Sequence, residues 1–365
     1  MNTQRFLGLV CLIPLIASFS QGPRASTPPL RDGAFLFDQE TFNGNGRTCL
    51  TCHSRETGTV SPVEAQRKFA LNRLDPLFRH DGSDDGQGHG VQRMLTEATI
   101  LVEIPLPENV TLADNPLART VTVRRGIPST LNTPALDPVL MMDGREQTLV
   151  TQARNAIRGH GQAPVNPPDH DLEAIAKFEL SDRFFSSDAV KAFARGGSEP
   201  RLPQGATESE KRGRTFFEDR ADPQNIKVGS CALCHSGPML DRTNHFFPIP
   251  PVGARFQSVA VSELNEAKNP IRSFVFRNPD GSRTTIMSPD PGRALITGKV
   301  QDANMFKISP LRGIRRTAPY FHDNSARTLE EVVAHYSRFF QLFNPNLALT
   351  SQEQADIVAY LKLLD

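Results

Sequence analysis

The chain has 365 residues, with 41 Lys and Arg against 40 Asp and Glu and a formal net charge of +1. That balance excludes a nucleic-acid binder driven by counterion release, which needs a surplus of positive charge. A hydrophobic share of 38% and a charged share of 22% describe a globular chain, and at roughly 150 residues per domain the length predicts about two domains. The 29 Pro and 25 Gly make it loop-rich, while Trp is absent and Tyr occurs three times. The side chains best suited to carry an oxidising hole are therefore scarce.

The first twenty residues predict a secretory signal. Arg5 supplies a positive start, Phe6 to Ile16 is apolar, and Ser18-Phe19-Ser20 places small residues around a cleavage point. That run is too short to span a bilayer comfortably. No later segment approaches eighteen apolar residues, so the expectation is an exported, periplasmic protein with no membrane span after cleavage. Further on, Gly33-Ala34-Phe35-Leu36-Phe37 and Gly213-Arg214-Thr215-Phe216-Phe217 form an internal repeat. Each precedes one copy of a cysteine motif. The first is Cys49-Leu50-Thr51-Cys52-His53 and the second is Cys231-Ala232-Leu233-Cys234-His235.

The string C-x-x-C-H attaches a c-type haem: each thiol adds to a vinyl group and the adjacent His binds the iron. Two copies use every cysteine beyond the signal. A zinc ribbon would not need the His, a thioredoxin-like site would need one pair, and two disulfides would not explain the spacing. Two covalently attached haem c groups are thus predicted, with His53 and His235 as proximal ligands.

Helix starts are legible in chain order. Ser61-Pro62-Val63-Glu64 combines a cap, Pro at the first helical position and Glu three residues on. Residues 81–130 read as a long Gly- and Asp-rich loop with a small hairpin, from Ile100–Ile104 and Thr120–Val123. Asp171 is expected to open a helix through Leu172, Ile175 and Phe178, and Gly196–Pro200 to be a linker. Thr207-x-x-Glu210 is a capping box; Thr328 opens a helix with Leu329, Val333, Tyr336 and Phe340 on one face; Thr350 caps the last helix. The class is mainly α.

Residues 306–336, from Phe306-Lys307-Ile308-Ser309-Pro310-Leu311-Arg312 through Ala318-Pro319-Tyr320-Phe321-His322-Asp323 to Leu329-Glu330-Glu331, resemble the C-terminal signature of bacterial di-haem cytochrome c peroxidases. Met142-Asp143-Gly144-Arg145, with Leu149 and Gln152-Ala153, resembles another segment of that family. The resemblance implies two cytochrome c-like haem domains, 21–200 peroxidatic and 201–365 for electron transfer. Hydrogen peroxide would be the substrate and a small cytochrome or cupredoxin the donor. The family's Met ligand to the second haem matches Tyr336 here, as in the MauG-type branch, which oxidises a partner protein; Met287 and Met305 are alternative sulfur donors. A non-catalytic di-haem carrier is a further alternative.

The resemblance also departs from the family. Its inter-haem Trp corresponds to Met142. Its distal Glu falls near Gln162, leaving Gln152 and His160 as the catalytic candidates, with packing or solvation the competing role for His160. Arg145 and Arg312 are candidates for binding haem propionates, His80 and His89 for capping the first haem, and His322 for supporting the second site. The family's calcium-binding Asn matches Gly126, which leaves backbone oxygens of Thr317 and Pro319 as donors.

Overall fold

The protein's computed structural model describes residues 31–246 and 251–365; the predicted signal lies outside them. Thirteen α-helices and seven short strands run through the described residues. The repeat seen at Gly33 and Gly213 recurs in the way helices cross within the described residues. The Gly33–Asp38 helix crosses the Asp169–Glu179 helix at Gly33, where a Cβ would lie 2.2 Å from the Ala174 carbonyl oxygen and 2.9 Å from Phe178 Cβ. The Glu208–Arg214 helix crosses the Ser351–Leu361 helix at Gly213, where a Cβ would lie 2.0 Å from the Asp356 oxygen and 2.8 Å from Tyr360 Cβ. Absence of a side chain lets the backbones meet at both crossings. The matched partners are 182 residues apart, Ala174 to Asp356 and Phe178 to Tyr360.

Between the crossing helices the correspondence continues at a spacing of 180 residues. Leu140 bridges to Glu146 as Tyr320 bridges to Ala326. Met141 and Phe321 adopt φ of 66° and 69°, and Gly144 and Asn324 φ of 72° and 58°. Thr148 and Thr328 then cap the Leu149–Gly159 and Leu329–Gln341 helices, accepting from the N–H three residues on at 3.1 and 3.2 Å. Each half has its own core. One gathers Leu36, Phe37, Ile157, Leu172 and Ile175; the other gathers Phe217, Leu329, Val333, Ile357 and Tyr360.

A third core lies between them, built from the segments each half inserts after its cysteine motif. Strand β1 (Thr99–Pro105) pairs antiparallel with β3 (Thr120–Gly126), so the expected hairpin is present. The connection is richer than the long loop expected. Strand β2 (Val110–Leu112) pairs with β5 (Arg272–Arg277), which pairs with β6 (Arg283–Ser288). Two minor strands, β4 (Phe256–Gln257) and β7 (Phe306–Lys307), also pair. Ion pairs join the halves beside these strands. Arg125 on β3 donates to Asp290 at 2.8 and 2.9 Å and also to Asp143; Lys307 reaches Asp137 at 2.6 Å. All of these groups are buried, and none is left single, as burial of charge requires.

The caps at Ser61, Thr207, Thr328 and Thr350 stand where the spacing predicts. The helix expected from Asp171 begins two residues earlier, at Asp169 after Pro168. Both aspartates sit in its first turn, where they complement the helix dipole.

Candidate haem sites

The two cysteine motifs share one local geometry. In each, the His N–H bonds back to the first Cys carbonyl at 2.9 Å. The ring then turns so that Nδ1 lies 2.8 Å from a carbonyl oxygen five residues on, Gly58 for His53 and Leu240 for His235. A carbonyl can only accept, so Nδ1 carries the hydrogen and Nε2 keeps its lone pair. That is the orientation an iron-binding imidazole needs. Burial lowers the pKa of both rings, which keeps them neutral. The four cysteines are unpaired, and burial pushes the thiols of Cys231 and Cys234 up to about 12.

The second motif opens on a cavity of about 240 Å³. Cys231, Cys234 and His235 form one part of its wall, Val333, Tyr336 and Phe340 another. The sulfur pair, the oriented imidazole and the apolar lining fit a c-type haem. Tyr336 is half-buried in this wall, while its neighbour His335 is fixed on Val259 O at 2.8 Å and on Asn265. His322 also lines the cavity, stacked on Phe306 with ring centroids 3.6 Å apart. Met142 lines it too, and Ser309 Oγ lies 3.8 Å from its sulfur. Met287 is 72% exposed on β6, so that alternative sulfur is directed to solvent.

Around the first motif the chain is drawn in more closely. A crevice of about 10 Å³ lies beside His53, between Phe37, Leu131 and Phe184. The ligand chemistry matches that of the second site. The helix facing this half carries Gln152, Ala156 and His160 as a half-buried stripe at a spacing of four. At the spacing of 180 residues these correspond to Val332, Tyr336 and Phe340, three residues of the cavity wall. The position that holds Tyr336 in one half thus holds Ala156 in the other.

His160 caps this helix and binds Asp81 through Nδ1. Asp81 is buried and also binds Arg47, whose guanidinium donates to Pro76 O at 2.9 Å and Leu77 O at 3.0 Å. Although burial raises the Asp81 carboxyl, His160 and Arg47 together hold it below its usual range. Sequence reasoning found His160 but not Asp81 or Arg47, because only the fold joins residues 47, 81 and 160. Gln152 lies on the same stripe and Gln162 is bound by Asn45 Nδ2 at 3.1 Å.

The remaining candidates are dispersed. Arg312 lines the second cavity but spends its nitrogens on the carbonyls of Pro238, Arg201 and Pro200, at 3.1, 3.2 and 2.6 Å. Arg145 is tied to Asp143 at 2.9 Å. His89 pairs with Asp85 in an exposed turn, and His80 sits at φ 45° in the preceding one. Gly126 faces Asn324, whose Oδ1 lies 2.1 Å from where a Cβ would stand. The Asn324 amide donates to the carbonyls of Glu97 and Ala98, both at 3.0 Å, so those oxygens are engaged by an N–H group. Among the described residues no group of three or more His, Cys, Asp and Glu is arranged to hold a metal ion, and no helix is long and apolar enough to cross a membrane.

No family model matches the chain. Over 148 residues it is 33% identical to a cytochrome c551 peroxidase of Nitrosomonas europaea, covering 40% of this chain and 34% of that protein. Over 251 residues it is 26% identical to the cytochrome c peroxidase Ccp of Escherichia coli, covering 61% of this chain and 44% of that one. The chain therefore spans less than half the length of either curated relative. Among solved structures, a MauG-like protein associated with microbial copper homeostasis aligns over 91% of this chain and 86% of its own, with TM-score 0.49 and 20% identity. In sequence the chain is thus similar to bacterial cytochrome c peroxidases over part of their length.

Proposed function

We propose that the chain is an exported di-haem c-type oxidoreductase that reacts with hydrogen peroxide. One haem would be carried by Cys49, Cys52 and His53, and electrons would pass through a second carried by Cys231, Cys234 and His235. The observation that carries this reading is the unequal repeat: two matching His orientations, with Ala156 at the helix position that holds Tyr336 in the other half. A bound haem supplies an iron able to exchange electrons with peroxide.

The rest falls to the chain. Gly58 and Leu240 orient the imidazoles so that Nε2 is free to bind. Ala156 offers no ligand of its own, which favours an open position in the first half, whereas Tyr336 offers a phenol oxygen in the second. His160 donates Nδ1–H to Asp81 and keeps Nε2 as an acceptor. It is suited to take a proton from hydrogen peroxide and return it to the oxygen that leaves as water. Gln152 stands two turns before the end of the same stripe, an amide able to hydrogen-bond the substrate. Export rests on the features of residues 1–20, and a boundary near residue 200 on the repeat of helices either side. The donor would be a small cytochrome or cupredoxin. Tyr336 in the cavity wall also favours the MauG-like variant, in which a partner protein is oxidised instead.

Intact mass of mature protein should show two haem additions, and peroxide should oxidise a reduced small cytochrome in its presence. Cyanide should bind one haem in preference. Two low-spin haems that ignore both cyanide and peroxide would leave an electron carrier.

A further inference from the structure

The Asp169–Glu179 helix ends on an acid that has nothing to bind. Glu179 is 5% exposed, and its Oε2 has no hydrogen-bond partner. A carboxyl of this kind costs stability wherever it is only structural, since burial opposes its charge and no bond compensates. Burial alone pushes it up to about 8.

The repeat identifies what faces it. Ala174 and Phe178 meet Gly33 as Asp356 and Tyr360 meet Gly213, so the residue after Phe178 corresponds to the residue after Tyr360. Glu179 thus stands at the position of Leu361, which lines the cavity of the second motif. A second observation agrees: Glu179 is the strongest charge acting on the Cys49 thiol, the attachment point in its own half. The matched helix position has an alkyl chain in the second half and an unpaired acid in the first.

The charged groups on the elements around it are occupied elsewhere. Asp38 is held by Arg55 at 2.7 Å and Arg183 at 3.1 Å, Arg154 by Asp169 at 2.9 Å, and Asp171 by Arg31. Arg158 donates to Ala163 O. Lys177 and Glu173, on the same helix, are exposed. The Thr133–Leu136 helix brings no charge, and the cysteine motif brings Cys49, Cys52 and neutral His53.

We infer that Glu179 is a proton store tied to the first haem, taking up one proton from solvent as one electron arrives there and releasing it as the electron leaves. This rests on the reading that Cys49 and Cys52 carry a haem. The exchange balances, one positive charge entering with each negative one, so the buried site keeps its net charge. Peroxide reduction consumes a proton for every electron, and Glu179 would hold one of them where the electron is held.

Potentiometric titration of both haems in the holoprotein, repeated across pH 5 to 9, tests this. The first haem's midpoint should fall as pH rises, approaching a tenfold change in its reduction equilibrium per pH unit, about 59 mV for a one-electron couple. The second haem should lack that dependence on Glu179. Glu179→Gln should abolish the slope and hold the first haem at its low-pH potential. Glu179→Leu, which copies the residue used at the matching position, should do the same. A pH-independent first haem in the wild type, or a slope retained in both variants, overturns the inference while intact mass still shows two haems. Absence of haem from Cys49 and Cys52 overturns the underlying reading and the inference with it.

Discussion

The two halves solve the same packing problem and then fill matched positions with different side chains. Both cross their first helix over a later one at a glycine, and both hang the motif His on a carbonyl 2.8 Å away. Where the second half has Tyr336, Leu361 and Phe340, the first has Ala156, Glu179 and His160. Backbone geometry is what the repeat keeps; polarity along the wall is what it exchanges. In the second half these three positions hold a phenol and two apolar side chains. In the first half they have lost bulk at one position and gained two titratable groups. On the proposed reading, that contrast suits a site that moves protons beside a site that moves electrons.

The largest expected effect comes from breaking the join on which the comparison depends. Arg125→Ala leaves Asp290 buried without its partner, and should cost about 3–5 kcal/mol by analogy with other broken buried pairs. Denaturant unfolding would measure this, and a loss under 1 kcal/mol would mean that the halves hold together by other contacts.

Next, Glu179→Leu makes the first half more like the second. The sign follows from the raised pKa. The folded state keeps the proton up to about pH 8, while the unfolded chain releases it from about 4.5. Wild-type stability should thus be full below that unfolded value and decline as pH rises to 8. At about 1.4 kcal/mol per pKa unit, the decline by pH 7 is about 3 kcal/mol. The variant should gain by that order at pH 7 and show no such pH-linked gain at pH 4; an equal gain at both would assign the effect to packing alone.

A smaller effect tests the feature the halves share. Gly33→Ala and Gly213→Ala each force a methyl group into a backbone carbonyl, and should cost about 1–3 kcal/mol as overpacking. Similar losses in thermal melts would sharpen the equivalence, and tolerance at one site would break it. Smallest is the exchange on the facing helix. Ala156→Tyr should weaken cyanide binding at the first haem by about tenfold, worth about 1.4 kcal/mol. Unchanged affinity would show that the 180-residue correspondence fails at this position.

The cysteine motifs, four helix caps and the first glycine pair could be read from the sequence because each depends on residues close together in the chain. The full repeat could not. Its halves match in φ at Met141 and Phe321, in the bridges at Leu140 and Tyr320, and in the carbonyls of Ala174 and Asp356, none of which requires similar side chains. Likewise, Asp81 carries no local sign that it will meet Arg47 and His160, and Glu179 looks like any helix-terminal acid until its burial is known. The β5–β6 hairpin is hidden in the sequence for a different reason: the exposed side of β6 carries Arg, Thr and Met rather than a clean polar pattern. Spacing reveals chemistry only where that chemistry is local.

The pairing of β2 with β5 sets an order of events during synthesis. Val110–Leu112 leaves the ribosome roughly 160 residues ahead of its partner Phe274–Phe276; at about 5–20 residues per second this is a wait of about 8–30 s. Val110 and Leu112 end 3% and 1% exposed, so for that interval two apolar side chains and an open strand edge have no native cover. The first half can close its glycine crossing as soon as residue 179 appears, yet its inserted segment must wait for the second half. A nascent chain arrested near residue 200 should therefore protect the Gly33–Ala174 crossing while leaving the β2 region open to proteases and chaperones.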